Sequence, residues 1–176
     1  MSSRRLSYAA LMVAAGLTGV YAEPIPNFEV LTLVVFCSGV LLGVRDGMLV
    51  GALSELIYSV LNPYGAAHPL ITVAQVMGVA VAGAAGGVAA RVGLPATGVA
   101  VRATLLTVAA IGLTGLFDLL TNLAVGVVQG QVLVTLMGGI PFSLVHIGTN
   151  VLLFGLLGTP LVGVFARYRL RLSSSR

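Results

Sequence analysis

The 176-residue chain has no lysine, no tryptophan and a single cysteine, and only 8% of its residues are charged. Each shortage excludes something. A soluble domain uses about 25% charged residues to clothe its surface, so an ordinary cytosolic enzyme, a nucleic-acid reader and a disordered tail are all excluded. Without lysine there is no Walker A phosphate loop. Cys37 lies alone within an apolar run, so it forms no intrachain disulfide and gives no basis for redox chemistry. The sequence contains no HExxH, no GxSxG and no Cys or His cluster at metal-ligand spacing. The expectation is a protein that is not an enzyme and has no cofactor, no metal site and no nucleic-acid partner.

What is present is apolar. Hydrophobic residues make up 58% of the chain, and the mean hydropathy is +1.09. A helix needs roughly 20 mostly apolar residues to cross a hydrocarbon core about 30 Å thick. Reading from polar break to polar break gives six such segments: Leu6–Tyr21, Phe28–Val44, Met48–Leu61, Leu70–Ala90, Ala103–Val128 and Ile140–Ala166. The breaks carry turn chemistry, with Glu-Pro-Ile-Pro-Asn at 23–27, Asn-Pro-Tyr-Gly at 62–65 and Gly-Leu-Pro at 93–95. The stretch from Gln129 to Gly139 reads as a connection with room for a short interfacial helix. The fold class expected is an all-α membrane protein, a single integral domain over residues 1–176.

The net charge of +4 comes entirely from arginine. Arg4 and Arg5 precede the first segment, Arg45 lies between the second and third, and Arg91 and Arg102 lie between the fourth and fifth. Arg167, Arg169, Arg171 and Arg176 follow the sixth. With six crossings all of them fall on one side, which the positive-inside rule makes the cytoplasm. The expected topology is six transmembrane helices, N-in and C-in, in the cytoplasmic membrane. Arg4-Arg5, the apolar stretch after them and Val20-Tyr21-Ala22 also fit a cleaved signal peptide; the first helix is expected to be retained. Arg45-Asp46 reads as a solvated turn with a local charge pair, and His68 as a loop residue.

Polar side chains within apolar spans carry the functional information, because a central Asp costs about 2.5–3.5 kcal/mol on insertion scales. Their depth follows from the 1.5 Å helical rise. Gln75 stands about 24 Å from Arg91, and Asp118 equally far from Arg102. Asn62 lies about 24 Å from Asp46, with Tyr58 at about 18 Å and Glu55 at about 14 Å. Asn150 is about 26 Å from Arg167, with Asn122 and His146 at about 30 Å from their cytoplasmic arginines. Glu55, Tyr58 and Asn62 share one helix face by their spacing of three and four; so do Asp118 with Asn122, and His146 with Asn150. The expectation is a polar pocket opening outward. Each of these residues also has a plainer reading, as an interhelical hydrogen-bond partner.

Small residues recur at spacing four: Gly39 and Gly43, Gly47 and Gly51, Ala10 and Ala14, with Gly78, Gly83, Gly86 and Gly87 along the fourth segment. Such surfaces usually bring helices of one chain close together. If the first helix is peripheral, Ala10 and Ala14 offer a docking face to another membrane protein.

This order of motifs resembles the substrate-binding S component of energy-coupling factor (ECF) vitamin transporters. The resemblance covers most of the chain: Ala10-Leu-Met-Val-Ala14, Ile25-Pro-Asn-Phe-Glu29, Leu42-Gly-Val-Arg-Asp-Gly47, Gly51-Ala-Leu-Ser-Glu-Leu, Asn62-Pro-Tyr-Gly, Asp118-Leu-Leu-Thr-Asn122, and Gly139-Ile-Pro-Phe-Ser-Leu-Val-His146 followed by Asn150. It implies capture of a vitamin or related micronutrient outside the cell and transfer to a membrane T component powered by two ABC-type ATPases. It assigns Ala10 and Ala14 to docking on the T component. The substrate-binding residues expected are Asn27, Glu55, Tyr58, Asn62, Gln75, Asp118, Asn122, His146 and Asn150. With two acids and no Arg or Lys among them, a neutral or cationic solute is favoured. Pro26-Asn-Phe-Glu29 and the Gly65, Pro69 and Gln75 stretch look most like the branch that includes cobalamin-precursor carriers; thiamine-like, pyridoxine-like and queuosine-precursor-like solutes stay open. The alternatives are a stand-alone proton-coupled secondary transporter, or a structural membrane protein without ligand.

Overall fold

A computed structural model of the protein describes residues 2–22 and 28–173. Among them the chain is helical and turn, with no strand. Three stretches are long and apolar enough to cross a membrane: Pro69–Arg91, Val99–Gln129 and the continuous Val132–Leu172. The elements are α1 (Ser3–Tyr21), α2 (Leu31–Leu42), α3 (Val44–Val60), α4 (Pro69–Arg91), α5 (Val99–Gln129), α6 (Val132–Leu153) and α7 (Thr159–Ser173), with a short 3-10 turn at Leu94–Ala96.

The surface marks the chain as a membrane protein. On α5, Leu105, Val108, Ile111, Leu119, Leu123 and Val127 are all exposed, a stripe that water would not tolerate on a monomer. The interior holds Glu29, Glu55, His146 and Asn150, all buried. Polar inside and apolar outside is the pattern a hydrocarbon solvent selects.

The 12-residue α2 sits at the centre, and of its residues only Val34 is not buried. At 1.5 Å per residue it is only about 18 Å long. It turns back into α3 through one residue, Gly43, whose φ of +93° is open to glycine and costly for other residues. Helix α4 then crosses both arms of this hairpin almost backbone to backbone. A Cβ on Gly39 would overlap the carbonyl of Gly83, one on Gly86 would overlap the carbonyl of Phe36, and one on Gly51 would lie 2.6 Å from the carbonyl of Val79. Lipid tails are as apolar as leucine, so burying apolar area drives helices together only weakly inside a membrane. Close van der Waals approach of small residues replaces it, and Gly39, Gly47, Gly51, Gly83 and Gly86 serve that purpose here.

Two sequence expectations need correction. The segment expected to connect the last two helices, Gln129 to Gly139, is reduced to Gly130 and Gln131, and α6 begins at Val132. Gly130 adopts φ +69° as the C-cap of α5 and, with Gln131 after it, turns the chain. Gly138, Gly139 and Pro141 lie within α6; a proline removes one backbone hydrogen bond, which a helix among other helices tolerates. Between α6 and α7 the chain stays helical, widening to a π turn at Phe154–Gly158 that ends two residues before Pro160, which cannot donate to the carbonyl four residues back. Second, Asp46 does not pair with its neighbour Arg45. It pairs with Arg5 of α1, whose Nη2 lies 2.6 Å from Asp46 Oδ2 and also bonds the carbonyl of Leu42.

Two further arginines near this end also serve carbonyls. Arg102 donates to Pro95 O at 2.6 Å, Thr97 O at 2.8 Å and Thr159 O at 3.3 Å, and Arg169 donates to Val40 O at 3.3 Å. Val40 and Leu42 are in the last turn of α2, where free carbonyls and the helix dipole attract cations. One end of the bundle is thus built on arginine. The opposite ends of α1 to α4 hold the site.

Candidate solute-binding site

Where α1 and α3 end and α2 and α4 begin, the helices enclose a cavity of about 300 Å³. Its walls come from Val20 and Tyr21 of α1, Glu29, Leu31 and Thr32 at the start of α2, Glu55 and Tyr58 of α3, Pro63 and Tyr64 of the following turn, Gln75 and Val79 of α4, Phe117 of α5 and His146 of α6. The volume is at the small end of ligand pockets, which run from about 300 to 1,000 Å³.

A buried acid–imidazole–acid cluster forms one side. His146 Nδ1 is 2.8 Å from Asp118 Oδ1, and His146 Nε2 is 3.3 Å from Glu29 Oε1. Each contact needs a proton, and a neutral imidazole carries only one. The second proton therefore makes the ring an imidazolium or sits on one of the acids. Glu29 is held further by the Thr32 hydroxyl at 2.7 Å, the Thr32 amide at 2.9 Å and Asn150 Nδ2 at 3.1 Å. The edge-on ring of Phe117, with its centroid 5.9 Å from that of His146, closes the cluster against the cavity.

The other side is much less satisfied. Glu55 is 2% exposed, yet among the described residues its carboxyl accepts a single hydrogen bond, from the Ser59 hydroxyl at 3.2 Å. The same hydroxyl lies 3.1 Å from Gln75 Oε1, and its one proton serves only one of the two at a time. Tyr58 and Tyr21 pack edge to face, with ring centroids 5.5 Å apart, and the Tyr21 hydroxyl donates to Leu61 O at 3.2 Å, tying α1 to the end of α3.

Of the residues expected from sequence, the structure brings Glu55, Tyr58, Gln75 and His146 to the cavity wall. Asp118 and Asn150 stand behind the wall and orient it. Asp118 leaves Oδ2 buried without a partner, and Asn150 does the same with Oδ1. Asn62 and Asn122 are not brought to the wall. Asn62 folds its own turn, its Oδ1 accepting the Tyr64 amide at 2.9 Å and its carbonyl the Gly65 amide at 3.0 Å. Asn122 packs at the α5–α6 crossing, where a Cβ on Gly139 would meet its side-chain amide at 2.6 Å. Asn27 lies outside the described residues. His68 caps α4, accepting the Leu70 amide at 3.2 Å.

Sequence reasoning did not single out Glu29, Thr32, Ser59, Tyr21, Tyr64 or Phe117 as site residues. For Glu29 a signal existed: an acid three residues before Thr32, at the start of an apolar run, has the spacing of a helix N-terminal cap. The aromatic rings carry no such mark. Among the described residues no group of three or more His, Cys, Asp or Glu side chains is arranged to hold a metal ion. No family model matches the chain, and no curated protein or solved structure matches it significantly.

Proposed function

We propose that the protein is the substrate-binding S component of an ECF-type importer, holding a vitamin-sized solute in the cavity between α1 and α6 and delivering it to a T component with two ABC-type ATPases. The observation that carries this reading is the cavity itself: a small hollow with buried ionisable walls, at the helix ends remote from the arginines. In this reading the chain makes six crossings of the cytoplasmic membrane, with α6 and α7 counted as one and the short α2 enclosed by its neighbours rather than spanning the full thickness alone; both termini are cytoplasmic, and the cavity opens outward. The placement of Arg5 and Arg102 at one end of the bundle and of Glu55 and His146 towards the other supports it. So does α1, which packs on α2 and α3 through Met12, Val13, Gly16 and Val20 and leaves Ala10 and Ala14 exposed as a shallow docking face.

The test is coexpression of the tagged chain with the T component and ATPases of its host. The expected result is copurification of all three, lost in the Ala10→Leu, Ala14→Leu double variant while solute binding by the isolated chain persists. Uptake into proteoliposomes by this chain alone, driven by a pH gradient, would instead identify a proton-coupled secondary transporter and overturn the reading.

A further inference from the structure

The cavity walls differ in how their charges are met, and the difference specifies the solute. Glu29 accepts hydrogen bonds from Thr32, Asn150 and His146, and Asp118 is joined to the same imidazole. Among the described residues Glu55 meets one shared hydroxyl and no cation, and no arginine lines the cavity. Counting Glu29, Glu55 and Asp118 against His146, these described residues carry an excess of acid even when the imidazole is charged. A buried carboxyl met by one neutral hydroxyl keeps its proton when nothing else faces it, and gives the proton up readily to become the counter-ion of a cation that enters the cavity. The space in front of Glu55 is the cavity, and Tyr58, Tyr21 and Phe117 turn aromatic surface into it, a surface that attracts organic cations.

We propose that the solute is a small organic cation, such as a positively charged nitrogen heterocycle, whose charge is read by Glu55 and whose ring is held by Tyr58 and Phe117. The proposal rests on the reading of this cavity as a solute site and narrows it. Glu29 and His146 form a prebuilt stretch of wall, tied to each other and to Asp118 behind it, so discrimination by charge falls to Glu55.

Three probes of nearly the same shape test it: 1-methylnicotinamide (cation), nicotinamide (neutral) and nicotinate (anion), titrated calorimetrically into the full-length protein in detergent. The cation is expected to bind at least tenfold more tightly than the neutral amide, and the anion not to bind. In Glu55→Gln the cation should lose at least tenfold in affinity while the neutral amide changes less than twofold. Glu55→Asp, which keeps the charge, should keep the order of the three probes. Equal or tighter binding of the neutral or anionic probe by the wild type, an unchanged cation affinity in Glu55→Gln, or binding of none of the three would overturn the proposal. The wild-type comparison needs no variant to fold. A chain that copurifies with a T component but shows no charge preference refutes this inference alone; a clear cation preference without copurification refutes the importer assignment alone.

Discussion

Replacing Gly86 with alanine tests the packing account at its tightest point. The added Cβ would overlap the Phe36 carbonyl, and its next neighbours are also backbone atoms of α2, 2.7 and 3.1 Å away. No flexible side chain can swing aside, so α4 must move away from α2 by on the order of an ångström. Overpacking of this kind costs about 1–3 kcal/mol, and a rigid backbone neighbour places Gly86 at the upper end. Alanine returns about 0.8–1 kcal/mol in helix propensity, leaving a net loss of about 2 kcal/mol. Gly112 on α5 is the matched control, because nothing lies within 4 Å of its Cβ position and only the propensity gain applies. Cys37 is 1% exposed, so a thiol-reactive fluorogenic dye reports unfolding directly. At about 2–4 °C per kcal/mol for a chain of this size, Gly86→Ala should melt about 4–8 °C lower than the wild type, and Gly112→Ala about 2–4 °C higher. A Gly86→Ala protein melting at or above the wild type would refute the close crossing of α2 and α4.

Other outcomes follow from the same contacts. His146→Gln leaves Glu29 and Asp118 as two buried acids without their shared imidazole, so it should destabilise by about 3–5 kcal/mol. Asp118→Asn keeps a hydrogen-bonding partner for the ring and should cost about 1–3 kcal/mol; the same dye assay ranks the two, and the reverse order would contradict the acid–imidazole–acid arrangement. Arg5→Ala removes a partly exposed ion pair and a bond to the end of α2. It should cost about 1 kcal/mol, and raising the salt concentration should lower the wild type's melting temperature towards that of the variant.

The helices were legible because their ends are chemically loud. Asn62-Pro63 and Gly93 to Pro95 interrupt apolar runs in any fold, and the structure ends helices at or beside each of them. Glu55, Gln75, Asp118 and His146 were legible for a related reason: a polar group in an apolar helix must face other protein groups or a cavity. Depth along the axis follows from counting residues, but rotation about the axis does not. Asn122 therefore has the right depth and still faces the α5–α6 contact. Glu29 was missed because it stands at the very edge of the second apolar segment, beside a Pro-rich break, and its partners, Asn150 and His146, come from the far end of the chain. The pairing of Asp46 with Arg5 was hidden for the same reason. Local sequence offers Arg45, and only the meeting of α1 with the α2–α3 turn supplies the better partner. The continuity of α6 through Gly138, Gly139 and Pro141 was hidden because residues that end helices in water need not do so among packed helices.

Whether the cavity beside Glu55 holds a solute is decided by native mass spectrometry of the protein purified gently from its own host membrane. The expected spectrum shows a protein ion carrying one small solute of fixed mass, present in the wild type and lost in a folded Glu55→Gln variant. A wild-type protein that appears only bare, or a bound solute that Glu55→Gln retains undiminished, would contradict it.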